Sequence, residues 1–490
     1  MPRGRRSHSA PPPALTPGHG VAVEGDHLRR YASVLPDFEG FWEALQRPLP
    51  QTLAVNDQRL SAEALAEGLA GAVSLTPLPW RPGAFRLAPE DRPGRHWRFS
   101  AGHFTVQEEA SLLPVALLEA EPGDRVLDLC AAPGNKTALL ALALKNRGTV
   151  IANDLQENRL AALHDLIRRL GLMNVSTTCG DGARLPLADN SFDRVLLDAP
   201  CTAEGKAQRG YLRASSETFR AGLRQTQRRL LEHALKLCRP GGRIVYSTCT
   251  FAPEENEAVI TAFLEAFGGQ VRVRPVPGLP PGASPGLEAF EDQRFHPDLV
   301  HACRLWPQRS GTGGFFAVCL EKVAPGSTHR AALGPSALPA STQDPRLPDL
   351  LARYGWEEGD LVPWRLIDSP RSVRILAADH EAPRGPRYLT HGLDFARNRA
   401  RVAKLSTPAA MALGPLARRE VLPLADPAFL AYRRRETIAL RAEDIPRGVT
   451  PGAVILEHQG TFQGIGLLFQ ENGTWTLESQ FPKAWVRDNT

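Results

Sequence analysis

Between residues 121 and 323 the chain repeats one pattern. A short apolar run gives way to a turn of small or polar residues, then to a longer stretch with helical spacing of its apolar positions. The runs occupy residues 125–129, 149–152, 194–197, 243–246 and 315–318. Continuous runs of this length suit strands covered on both faces. Alternation with helical segments predicts an α/β domain with a doubly wound, mostly parallel, Rossmann-like sheet over 121–323. Residues 27–120 predict a smaller mixed α/β module: a helix through 41–45, a strand at 52–55, and a helix that starts behind Ser61 as N-cap. Pro275, Pro277, Pro280, Pro281 and Pro285 mark a long loop within the larger domain. Pro325, Pro335, Pro339, Pro345 and Pro348, set among Ala, Ser and Thr, give residues 324–348 the character of a linker. A third region covers 349–490. Its part near 430–490 reads as β-rich, with an apolar run at 453–456, Gly464 and Gly466, and an Asn472-Gly473 hairpin turn. Residues 1–26 carry Arg3, Arg5 and Arg6 among prolines without an apolar core, which predicts a disordered tail and not a secretory signal.

Composition narrows the class without choosing a function. The 490 residues are 42% hydrophobic and 23% charged, which excludes a fibrous or wholly disordered chain. No apolar run is long enough for a transmembrane helix, so no membrane partner is expected. The net charge of +5 permits an anionic partner without requiring one. Only seven of the 58 basic residues are lysine, a bias that a GC-rich genome produces by itself. The seven cysteines are odd in number and form no CxxC pair. That argues against a disulfide framework and a structural zinc site, and for reduced thiols in the cytoplasm; no metal is expected.

The candidate chemistry gathers at predicted strand ends. The strand at 125–129 runs into Cys130, Ala131, Ala132, Pro133, Gly134, Asn135 and Lys136, then into a helix from Thr137. Ligands of open α/β sheets bind at the carboxyl ends of strands, where small residues admit close approach and a helix N-terminus favours a carboxylate. Neither GxxxxGK[ST] nor GxGxxG is present, so a phosphate-binding loop and a dinucleotide fingerprint are both set aside. Asp154, Asp181 and Asp198 follow the next predicted strands in order. Asp154 suits a ribose diol and Asp181 an adenine edge; together these positions fit S-adenosylmethionine. Cys201 in Asp-Ala-Pro-Cys and Cys249 in Ser-Thr-Cys-Thr also end predicted strands. Cys179, Cys238, Cys303 and Cys319 read as small buried hydrophobes.

These segments resemble motifs of the NOP/SUN RNA cytosine-5 methyltransferases, in particular the RsmF-like branch. The matching stretches are Cys130 to Thr137, Asp198 to Cys201, Ser247 to Thr250, Pro253-Glu-Glu-Asn-Glu257, Gly313-Gly-Phe-Phe316 and Gln107 to Ser111. Two departures stand out. Asn135 replaces a customary glycine, which is tolerable if Asn135 takes the left-handed conformation. Ala54 stands where an arginine is common, in Ala54-Val55-Asn56. The resemblance implies methylation of cytosine C5 through a thiolate adduct at C6. The residue pattern alone leaves either thiol as the attacker. By resemblance Cys249 attacks, Cys201 assists proton removal and release, and Asp198 binds the N3/N4 edge of the base. Lys136 lies near the cofactor loop or the catalytic pocket. It also implies a PUA-like C-terminal module and a monomeric enzyme for 16S ribosomal RNA near the decoding region, with no DNA partner. Alternatives are a transfer-RNA cytosine-5 methyltransferase and a catalytically silent assembly factor. Basic clusters at Arg397, Arg399, Arg401 and Lys404, at Arg418-Arg419, at Arg433 to Arg435, and along Arg209, Arg213, Arg220, Arg224, Arg228 and Arg229 are candidate RNA contacts.

Overall fold

The computed structural model describes residues 26–209, 216–276, 278–323, 331–339, 341–370, 372–397 and 404–486. The expected tail at 1–26 falls outside them except for its last residue, and so do Pro277, Pro325, Arg213, Arg399 and Arg401.

The N-terminal module forms as its pattern predicts. Ser61 Oγ accepts from Ala64 N at 3.2 Å and starts the helix Ala62–Leu69. That helix covers an antiparallel four-stranded sheet in the order Leu75–Pro77, Ala84–Leu87, Gln51–Val55, Phe104–Glu108. The Ala54-Val55-Asn56 triplet is structural: Asn56 is buried and donates to the carbonyls of Gly102 and Leu170 at 2.9 and 3.2 Å.

The large sheet carries the predicted runs. Its strands are β1 (Arg125–Asp128), β2 (Thr149–Asp154), β3 (Val175–Cys179), β4 (Phe192–Asp198), β5 (Cys238–Thr248), β6 (Val271–Val273), β7 (Phe315–Lys322) and β8 (Tyr388–His391). They lie in the order β6-β7-β5-β4-β1-β2-β3-β8. β5, β4, β1, β2 and β3 are mutually parallel, and β7 runs antiparallel against β5. The chain winds outward on both sides of β1 and β4, so the loops after these two strands face one crevice, the switch point of an open sheet. Val126, Leu127, Val195, Leu196, Ile244 and Val245 are fully buried, as continuous apolar runs demand. The helices α1 (Asn135–Ala143), α2 (Ala161–Leu170), α3 (Glu217–Leu237) and α4 (Glu257–Phe267) connect and cover the sheet.

The region beyond 323 departs from expectation. The described part of the Pro-rich segment is no free linker. Ala331 N donates to Asn190 O at 3.0 Å, and Ala337 N to Ala382 O at 2.7 Å. Leu333 and Leu338 are buried. Strands Trp364–Ser369, Ser372–Ala377, Leu393–Arg397 and Lys404–Leu405 form an antiparallel sheet not foreseen in the sequence. β8 leaves this region and pairs antiparallel with β3, so the C-terminal part completes the large sheet. The expected β-rich end is present as five strands, including Gly452–His458, Thr461–Glu471 and Thr474–Ser479. Asn472 and Gly473 both have positive φ, as the hairpin turn requires.

The β3–β8 seam generates a prediction. Ser176 on β3 bonds His380 Nε2 at 2.7 Å and His391 Nδ1 at 2.8 Å. Burial holds His380 down to about 3 and His391 down to about 4. Both are neutral when folded but gain a proton near pH 6.5 when unfolded. Their contribution is therefore complete above pH 6.5 and lost as pH falls towards the folded values. At pH 5 each should cost about 2 kcal/mol. Urea unfolding at pH 7.5 and pH 5 should show this loss, and His391→Gln should reduce it; equal acid sensitivity in the variant would refute the account.

Candidate active site

The loop after β1 is built for close approach. Gly134 has φ of +112° and caps α1. A Cβ there would lie 2.6 Å from Leu163 Cβ, so conformation and space both require glycine. This corrects the expectation for Asn135, which is the first residue of α1 and needs no left-handed conformation because Gly134 already supplies the turn. Ala131 N donates to Asn153 O at 2.7 Å, and Ala132 N to Asp154 Oδ2 at 3.1 Å. Asn153, which the sequence reading passed over, ties three loops together through Leu129 O, Gly180 O and Thr178 Oγ1.

The predicted acids differ in setting. Asp154 is buried at the end of β2, and its Oδ1 accepts from Gln156 N at 3.0 Å. It braces the loop at the carboxyl end of β2. Asp181 caps a short 3₁₀ turn through Ala183 N at 3.0 Å and is half exposed. Asp198 ends β4. Its Oδ2 accepts from Lys136 Nζ at 2.7 Å and its Oδ1 from Ser247 Oγ at 2.8 Å. Lys136 therefore reaches from the start of α1 to the end of β4, with its ammonium 5.6 Å from the centre of the Phe315 ring. Asp128, not singled out before, is buried and accepts from Thr137 Oγ1 at 2.7 Å, while its Oδ1 has no partner among the described residues. Burial pushes its carboxyl up to about 7. An orphaned acceptor beside a loop of small residues is what a ligand bearing an ammonium group can satisfy.

The two cysteines meet across the crevice, with their sulfurs 3.4 Å apart. Cys249 O accepts from Gly205 N at 2.9 Å, which joins the two loops through the backbone. The thiols are not equivalent. The Cys201 proton and the nearby Lys206 ammonium hold Cys249 below its ordinary thiol value. The hydrogen bond to Cys249 and burial, with Glu255 acting in the same sense, push Cys201 well above its own. Either sulfur can donate in their shared hydrogen bond; the Lys206 ammonium near Cys249 and the Glu255 carboxylate near Cys201 both favour the arrangement with the thiolate on Cys249. Burial pushes Cys238, Cys303 and Cys319 up as well, to about 12, 12 and 11, as inert core thiols. Cys179 is only partly buried.

The 253–257 segment is a brace for both loops. The Glu255 carboxylate accepts from Thr202 N, Thr202 Oγ1 and Gln227 Nε2 at 3.1, 2.6 and 2.9 Å. Asn256 Oδ1 accepts from Thr248 Oγ1 at 2.5 Å, and Glu257 forms a buried ion pair with Arg304. Gly314 N donates to Gly205 O at 3.0 Å, and a Cβ on Gly205 would meet Gly314 O at 2.2 Å. Lys206 was missed in the sequence. Its signal was available: in a chain that uses arginine almost everywhere, a lysine in the Cys201 loop is an exception.

The asymmetry can be measured. The thiolate alkylates and the thiol does not, so Cys249 should react with iodoacetamide at neutral pH ahead of every other cysteine. Removing the Cys201 donor in Cys201→Ala should raise the alkylation midpoint of Cys249 by about one to two pH units, the worth of one hydrogen bond to a charged group. An unmoved midpoint would show that the sulfur contact does not hold the thiolate.

This arrangement has relatives. Residues 115–321 match the family described as 16S rRNA methyltransferase RsmB/F, and residues 25–109 match the N-terminal domain of 16S rRNA methyltransferase RsmF. Ribosomal RNA small subunit methyltransferase F of Citrobacter koseri is 35% identical over 322 residues, and that of an Enterobacter species is 37% identical over 322. Each match covers 62% of this chain and 64% of the relative's length. A solved methyltransferase homolog from Pyrococcus horikoshii is 32% identical, with a TM-score of 0.53 over 59% of this chain and 91% of that one. The β1 loop, the paired cysteines and the brace at 253–257 all lie within the first match, and the chain belongs to the RsmB/F family of methyltransferases, with the N-terminal domain of its RsmF members.

Proposed function

We propose that the chain methylates cytosine C5 in 16S ribosomal RNA, with S-adenosylmethionine as methyl donor and Cys249 as the nucleophile that forms the covalent adduct. The observation that carries this reading is the pair of sulfurs 3.4 Å apart beside the Lys136–Asp198 ion pair. The cofactor residues fit. The loop from Cys130 to Lys136 gives close backbone approach, Asp154 and Asp181 stand at consecutive strand ends, and Asp128 offers an unmatched buried acceptor. When bound, S-adenosylmethionine supplies an electrophilic methyl group.

Cytosine C5 is too weak a nucleophile to take that group unaided. Addition of the Cys249 thiolate at C6 places an enamine across C5 and activates it. Asp198 is an acceptor held in place by Lys136 and Ser247. It suits the N4 amino group of cytosine and opposes uracil, which presents an oxygen at the same position. The Lys136 ammonium meets the charge that the ring gains as sulfur adds. Once C5 carries the methyl group, loss of its proton re-forms the C5–C6 double bond and expels Cys249 as a thiolate. Cys201 assists that loss: once Cys249 is bonded to C6, Cys201 gives up its own proton to solvent and its thiolate then accepts the proton from C5. The target base must leave its stack to reach the sulfurs. Action on ribosomal RNA also places the enzyme in the cytoplasm, and a single chain holds every residue named.

The two thiols should give opposite phenotypes on substitution by alanine. Cys249→Ala should abolish both methyl transfer and adduct. Cys201→Ala should still attack and methylate but fail to eliminate, and so accumulate as a covalent RNA complex visible on a denaturing gel. The double variant should show no such band. Accumulation in Cys249→Ala instead would reverse the roles. Mapping 5-methylcytosine in a deletion strain tests the substrate: loss of a mark from 16S ribosomal RNA is expected, and loss from transfer RNA alone would overturn that part.

A further inference from the structure

A second cleft lies away from the sulfurs, between α2 and the C-terminal region, with a volume of about 490 Å³. It is lined by Arg168 of α2 and by Arg397, Lys404, Arg435 and Lys483 of the C-terminal region. Its two acids are already engaged. Asp165 accepts from Trp485 Nε1 at 2.7 Å, and Asp394 from Arg374 Nη1 at 2.6 Å, with Arg168 at 3.4 Å. Among the described residues, no carboxylate lies within ion-pair distance of Arg397, Lys404, Arg435 or Lys483.

One detail of the register is informative. Arg397 and Lys404 stand directly opposite each other on neighbouring antiparallel strands. Like charges in that relation repel and destabilise the pair of strands. Lys404 is half-buried and donates to Gln480 Oε1 at 2.7 Å; its ammonium is held below its ordinary value by burial and by Arg397. Glu478 acts on Lys404 only from a distance, with no ion pair between them among the described residues, so the like-charged pair at the lip of the cleft is left free to meet an anion.

From this placement we infer that the cleft binds the phosphate backbone of the RNA substrate. The inference rests on the functional reading above and gives that substrate a second point of attachment. The five cations come from α2, from two strands and from two turns, and that many positive groups suits a chain of phosphates better than one small anion. Phe481 and Trp485 are buried and offer no face for stacking, so the contact is to backbone and not to bases. α2 begins shortly after Asp154, and Arg168 lies seven residues past the start of that helix, about 10 Å along its axis. α2 runs back from the cofactor end towards the amino ends of the strands, so RNA held here is anchored about 10 Å along that helix from the cofactor loops.

The test uses the full chain, protein-free 16S ribosomal RNA and the double variant Arg397→Gln/Lys404→Gln. RNA affinity at low salt should fall about tenfold or more, and the slope of log affinity against log salt should flatten by about 1.5, two phosphate contacts' worth. Cofactor affinity should hold. The melting temperature should stay level or rise, because the variant removes a repulsion; a pair with a purely structural role would lower it. An unchanged salt slope, or a lowered melting temperature with unchanged RNA affinity, would overturn the proposal. Failure of the wild-type chain to methylate any RNA would instead overturn the functional reading, whatever the slope shows.

Discussion

The geometry of the crevice depends on one buried carboxylate. Glu255 has no exposed surface, yet it carries a group that water solvates strongly. Its cost is offset by three donors on the carboxylate, from Thr202 and Gln227, while Tyr246 OH donates to its backbone oxygen at 2.6 Å. Thr202 follows Cys201, and its hydroxyl also meets that of Thr250, the residue after Cys249, at 2.7 Å. One acceptor thus draws both cysteine loops to a common point and fixes the distance between their sulfurs. The same negative charge adds to the hydrogen bond with Cys249 and to burial in disfavouring a thiolate on Cys201.

The N-terminal module extends this bracing from behind. Tyr31 OH donates to Glu204 Oε2 at 2.6 Å, and Glu204 also accepts from Thr250 Oγ1 at 3.2 Å. Arg30 pairs with Glu254, and Glu108 accepts from Gly313 N at 2.9 Å. These bonds join sequence positions up to 224 residues apart, so the module is part of the wall behind the crevice and not a loosely attached appendage.

What the sequence made legible follows from burial. β1, β2, β4, β5 and β7 lie inside a sheet covered on both faces, and their apolar runs are unbroken. Ser61 and the Asn472-Gly473 turn were readable because local chemistry dictates them. β8 was not. Its four residues, Tyr388, Leu389, Thr390 and His391, are all half-exposed on an edge and carry no period. Proline density at 324–348 suggested a spacer, but prolines also suit a chain that crosses a surface in single bridges, as it does at Ser336 and Ser341. The paired cysteines were legible as residues. Their inequivalence was not, because Lys206 and Glu255 act through space.

The edge strand has a consequence for the order of events during synthesis. β3 ends at Cys179, yet its outer neighbour does not exist until residue 391 has been made. Every residue of the crevice, Cys249 included, precedes that point. A nascent chain therefore carries its full set of reactive groups for well over a hundred residues while one margin of the sheet is still unpaired, open to mispairing with another strand. Closure of that margin by β8 ties completion of the sheet to arrival of the C-terminal region.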